Sequence, residues 1–129
     1  MSGHFGIGIQ IRLAVILIQS LIALGREYRQ IKSMATTDGR IYSVEFVTYD
    51  DNGRAIGFQK NEKGEYQIIA DSHGLNSEQL KKQDDFIKQI RQKYAYITVV
   101  EELKKQGYII AEEEKIAYNT IRLVARKWT

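Results

Sequence analysis

Two hydrophobic periods divide this chain. From His4 to Ile11, Phe5, Ile7, Ile9 and Ile11 alternate with small or polar residues, the period-two signature of a strand with one covered face. The glycines at 6 and 8 leave its other face nearly bare. Leu13 to Leu24 (LAVILIQSLIAL) has no polar side to speak of and predicts a helix buried over most of its circumference, stopped by Gly25 as a left-handed cap. Asn76 or Ser77 caps a second, longer helix, in which Leu80, Phe86, Ile87, Ile90, Tyr94, Ile97, Val100 and Leu103 recur at three and four residues, and Gly107 ends it.

Between the helices the period returns to two. Residues 26–33 read as a short strand, Asp38-Gly39 as a tight hairpin turn, and Ile41 to Tyr49 as one strand rich in β-branched and aromatic residues. Asp50-Asp51-Asn52-Gly53 and Lys63-Gly64 are further turns, flanking strands at Ala55 to Gln59 and Tyr66 to Ala70. After the long helix, Tyr108 to Glu113 and Thr120 to Trp128 form a closing hairpin. The pattern therefore predicts a single α+β domain over 1–129, an antiparallel sheet with two main helices on one face. Each half reads strand, helix, strand, strand, which suggests a duplicated βαββ unit. Tyr94, Ile97, Leu103, Ile121 and Leu123 are expected to share the main core.

Composition narrows the function. With 43% hydrophobic and 27% charged residues in 129, the chain falls among ordinary globular domains. It has no cysteine, which excludes disulfides, thiolate metal sites and a cysteine nucleophile and suits a reducing compartment, cytoplasm or stroma. Nineteen basic against sixteen acidic side chains leave a net charge of only +3, a near-balance and no basic tract. The twelve-residue apolar run reaches about 18 Å as a helix, against a hydrocarbon core of about 30 Å, so it does not span a membrane. Ala23 and Gly25 after that run mimic a leader-peptide cleavage site, which is the alternative reading of the same segment.

Candidate chemistry is sparse. His4 and His73 are the only histidines and, with Asp71 near His73, fix no ligand spacing, so neither metal nor cofactor is expected. Asp50-Asp51 offers two carboxylates, but neighbours at a strand end point apart and the turn explains both. Asp71-Ser72-His73 holds the residue types of a hydrolytic triad, yet three consecutive residues do not converge in space. No phosphate-cradling glycine motif joins a strand to a helix.

One resemblance stands out. His4-Phe5, Gly57-Phe58, Ile69-Ala70-Asp71, the run QKYAYITVVEELKKQGYIIAEEE from Gln92 to Glu114, and IRLVARKW from Ile121 to Trp128 resemble the hypothetical chloroplast open reading frame thirty-five family. That family, a domain of unknown function in cyanobacteria and red-algal plastids, implies a setting but no catalytic residues. Its members sometimes accompany a AAA-type ATPase, which the resemblance brings in as a partner. Two features depart from it: Leu13 to Ile18 is apolar throughout where the family's first helix carries charge, and no tryptophan stands near His73.

The function expected from these residues is a non-catalytic accessory or protein-interaction domain, with a protein partner or second copy meeting Val15, Leu17 and Ile18 on the first helix. The alternative is an RNA- or DNA-binding module. It would use Arg122, Arg126 and Trp128 on the last strand with Tyr94 and Tyr96 on the long helix, since aromatics interleaved with basic groups stack bases. Glu101, Glu102 and Glu112 to Glu114 are mixed into the same region and oppose phosphate. An enzyme ranks third.

Overall fold

A computed structural model describes residues 2–5, 10–117 and 120–127, with side chains described for 10–108. The fold is α+β and its strand pairs are antiparallel, as the pattern predicts, but the strands divide among three sheets. In chain order the described elements are β1 (Ser2–Phe5), α1 (Ala14–Ala23), β2 (Tyr28–Arg29), β3 (Ser33–Ala35), β4 (Ile41–Ser43), β5 (Phe46–Tyr49), β6 (Ala55–Lys60), β7 (Tyr66–Ala70), α2 (Ser77–Lys105), β8 (Tyr108–Ala117) and β9 (Thr120–Lys127). The central sheet has the order β2-β5-β6-β7, a second β1-β9-β8, and β3 pairs only with β4. The strands either side of residue 39, β3 and β4, pair as a hairpin just as β8 and β9 do after α2, but the two hairpins stand in separate sheets and not in one.

The predicted strand from Ile41 to Tyr49 is broken at Val44-Glu45, for a long-range reason. The Val44 amide donates to the Lys32 carbonyl at 3.0 Å, in the small hairpin, and the Glu45 amide donates to Phe58 at 2.9 Å, in the central sheet. One extended segment changes sheets within two residues.

Alternation along the central strands then supplies two cores. Phe46, Ile56, Phe58 and Tyr66 face the helices and join Ile11, Leu17, Leu21, Phe86, Ile90 and Tyr94. The Phe46 and Phe58 rings stack with centroids 5.1 Å apart. The opposite face carries Val47, with Ala55 and Ile69 beside it, and is covered by Met34 and Val44 of the hairpin. Gly57 makes that cover fit: a Cβ there would lie 2.8 Å from the Met34 sulfur and 2.9 Å from Val44 Cγ1. The β3–β4 hairpin thus lies on the side of the sheet away from α1.

Helix α2 begins in a reciprocal cap, the Gln79 amide donating to the Asn76 side chain at 2.8 Å and the Asn76 amide to Gln79 Oε1 at 3.0 Å. Its 29 residues make it about 44 Å long. The N-terminal part turns Gln83, Phe86, Ile90 and Tyr94 inward. Of the residues expected in the main core, Tyr94 is there, whereas Ile97 and Leu103 are half-buried, beyond the end of the central sheet's cluster. Leu80 is exposed. Ile121 and Leu123 lie in β9, of which only the backbone is described.

Candidate protein-interaction surface

Helix α1 packs against α2 and the central sheet through Leu17, Ser20 and Leu21, all fully buried. Ser20 satisfies its hydroxyl within the helix, donating to the Ile16 carbonyl at 2.7 Å. Leu13 precedes the first turn with no capping side chain of its own. From 82 residues away the Tyr94 hydroxyl accepts from the amides of both Arg12 and Leu13, at and just ahead of the helix start, at 3.0 Å. At the other end Arg26 lies 4.5 Å over the Phe86 ring and 2.6 Å from Asp51. Tyr94 at the start of α1 and Phe86 at its end make the two helices antiparallel, and fix α1 at both ends.

Burying Leu17 and Leu21 turns the other side of α1 outward. Val15 is 67% and Ile22 60% exposed, with Gln19 exposed and Ile18 half-buried between them. At positions 15, 18, 19 and 22 these side chains form one stripe. No charged residue occurs from Leu13 to Gly25. Leu13, just ahead of the helix, is 56% exposed.

The predicted interaction residues thus separate. Val15 and Ile18 belong to the stripe. Leu17 does not, because it is fully buried, like Ser20 and Leu21. Tyr94 likewise is buried, its ring in the core and its hydroxyl occupied by α1. Tyr96 is half-buried, with the Lys93 ammonium 5.3 Å from its ring centre. Arg122 and Arg126 are placed by backbone pairing alone: Arg122 stands opposite Glu114 on one side and His4 on the other, and Arg126 opposite Ile109. Trp128 lies outside the described residues. Gln19 is a stripe residue that sequence reading passed over, and Ile22 was legible there only as one of the helix's many apolar residues; their spacing from Val15 is the signal that finds both once the buried face is fixed.

The polar residues singled out earlier assemble into a structural knot. Asp50, 5% exposed, accepts from the amides of Asn52 at 2.9 Å and Arg54 at 2.8 Å and from Gln83 Nε2 at 3.0 Å. Asp71 accepts from the Thr37 amide at 3.1 Å and hydroxyl at 2.7 Å, with Arg54 at 3.4 Å. Arg54 also donates to the His73 carbonyl at 2.7 Å. Each carboxylate is engaged by donors of its own fold, and Asp51 points away to Arg26. Among the described residues no group of three metal-ligating side chains converges. A groove of about 720 Å³ beside β7 mixes Glu62 and Glu65 with Lys63 and Arg91 and selects no one charge.

Comparison with known proteins places the chain. The model of a family described as protein of unknown function (DUF1257) matches residues 20–124. The chain belongs to this family. Its relatives include the uncharacterized protein ycf35 of Cyanophora paradoxa, 34% identical over 90 residues, covering 70% of this chain and 68% of that protein. The ycf35 protein of Pyropia yezoensis is 31% identical over 87 residues, covering 67% of this chain and 66% of its own length. The chain therefore spans about two thirds of the relatives it matches. No solved structure gives a significant match. The resemblance drawn from the Gln92 to Glu114 run and the last strand is thus a true family relation, to a family of unknown function. No helix among the described residues is long and apolar enough to cross a membrane.

Proposed function

We propose that this DUF1257 domain is a non-catalytic protein-interaction module whose docking surface is the outer face of α1. The observation that carries this reading is the stripe of Val15, Ile18, Gln19 and Ile22, three apolar side chains and one neutral amide, on a helix anchored at both ends. Leaving Val15 and Ile22 in water forgoes roughly 1.5 to 3 kcal/mol for each on full burial, and a partner recovers part of it. The family resemblance makes a AAA-type ATPase one identity for that partner, and a plastid stroma or cyanobacterial cytoplasm its setting. Nucleic-acid binding finds less support, since the pairing register sets Glu114 directly beside Arg122.

Site-specific photo-cross-linking tests the proposal. A cross-linking residue at Val15 or Ile22, in cells expressing the full chain, should give discrete adducts whose second component mass spectrometry identifies, whereas one at exposed Lys81 should not. Adducts from neither α1 position, or the same adducts from all three, would overturn it.

A further inference from the structure

We infer that the occupant of the α1 face is the α1 of a second copy of this chain, running antiparallel across a two-fold axis beside Gln19. The inference rests on the docking-surface reading above and names its partner.

The spacing of the stripe is the same in both directions. Val15 and Ile22 stand at its ends, each three residues from a central pair, Ile18 and Gln19. When a copy is turned end for end, Val15 of one helix lies over Ile22 of the other, and the central pair meets itself. A two-fold interface demands this self-complementarity, because the same patch serves both sides. Gln19 satisfies the demand chemically. An amide carries donors and an acceptor, so two Gln19 side chains complete each other across the axis. A single polar position in an apolar seam also fixes register, at some cost in affinity.

Electrostatics favour the same arrangement. Helix α1 has no acidic residue in its first turn and no basic residue in its last, so neither end of its dipole is offset by its own side chains. An antiparallel copy brings the positive end of each helix to the negative end of the other. The segment offers a foreign partner no charge to recognise, and offers a copy none to repel. The flanking cations are already paired within the chain, Arg12 with Glu65 at 3.8 Å and Arg26 with Asp51 at 2.6 Å. A ten-residue helix face is small beside the roughly 800 Å² per partner of a standard interface, so the dimer is weak and forms on raising the concentration.

Charge exchange at the axis is the test. By sedimentation equilibrium the full chain should move from a 14.9 kDa monomer toward twice that mass as its concentration rises. Gln19→Glu and Gln19→Lys should each weaken self-association by about tenfold or more, since each sets like charges face to face. An equimolar mixture of the two should restore association as a mixed pair, which only a copy-to-copy contact at Gln19 predicts. Position 19 is exposed, so both variants should unfold at the wild-type denaturant midpoint. A wild-type chain that stays monomeric, or variants whose mixture recovers nothing, would overturn the pairing. A monomer whose Val15 cross-linker captures a different, identified protein would overturn the pairing and keep the docking surface; a monomer with no adduct at all would end both.

Discussion

Substituting Gly57 by alanine probes the layer that sequence alone did not reveal. The new methyl carbon would sit 2.8 Å from the Met34 sulfur and 2.9 Å from Val44 Cγ1, where ordinary contact needs more than 3.4 Å. Both neighbours must give way by half an ångström or more. Met34, flexible and 3% exposed, can rotate; Val44, β-branched and 5% exposed, moves only with its backbone. Overpacking of this kind costs about 1 to 3 kcal/mol. Alanine in a strand recovers roughly 0.5 to 1 kcal/mol of the backbone entropy that glycine loses, so the net expected loss is about 1 kcal/mol, with an upper bound of roughly 2.5. Urea unfolding should show this as a lower midpoint at unchanged slope. The decisive comparison is the Met34→Ala background. Met34→Ala alone should cost about 2 to 5 kcal/mol, and the Gly57 methyl should then fill part of the vacated space, so that the double variant is more stable than the two losses added together. Strict additivity, or a Gly57→Ala chain as stable as wild type, would mean that the hairpin does not lie on the sheet at this position.

Two further outcomes follow from named contacts. Tyr94→Phe keeps the ring and strips the acceptor from the Arg12 and Leu13 amides, which should cost about 1 to 3 kcal/mol and speed hydrogen exchange at the start of α1; unchanged stability would show that water caps the helix instead. Burial, together with donation to the Glu45 carboxylate, pushes the Tyr66 hydroxyl up to about 12 from its ordinary 10.0. Since the folded value is the higher one, its contribution is complete below pH 10 and is lost as pH rises through about 12. Ultraviolet titration should find the Tyr66 phenol ionising late, its signal lost in Tyr66→Phe, and Glu45→Gln should bring it earlier; a titration unaltered by that substitution would refute the assignment.

Short-range chemistry was legible and long-range choice was not. Gly25, Gly39, Gly53, Gly64 and Gly107 all adopt positive φ, at the helix end or turn where each was expected, because those conformations are decided within a few residues. The Asn76 cap and the period-two strands of the central sheet were readable for the same reason. The break at Val44-Glu45 was invisible, since two adjacent amides find partners at Lys32 and Phe58 in different sheets. Six successive apolar residues from Leu13 to Ile18 likewise hide which of Val15 and Leu17 faces in, a choice made by α2 and the sheet. Tyr94 has a stacking surface and a polar tip, which suits a nucleic-acid platform as well as a core; only the uncapped amides of a distant helix settle its role.

The polar knot has an evolutionary side. Its bonds tie the turn at residues 36–40 to Asp71, through Thr37, and the turn at 50–53 to α2, through Gln83 and the Asn52 amide group on the Gln79 carbonyl at 3.1 Å. Neither turn can gain a residue without drawing a carboxylate out of register with donors on another element. The turn at 61–64 is closed chiefly by Asn61 and its own neighbours, the Lys63 and Glu65 amides donating to Asn61 Oδ1 at 2.9 and 3.0 Å. Insertions and deletions in this lineage should therefore gather at that third turn, whose ties beyond the loop are long and at the surface, Arg12 to the Lys63 carbonyl at 3.4 Å and to Glu65 at 3.8 Å.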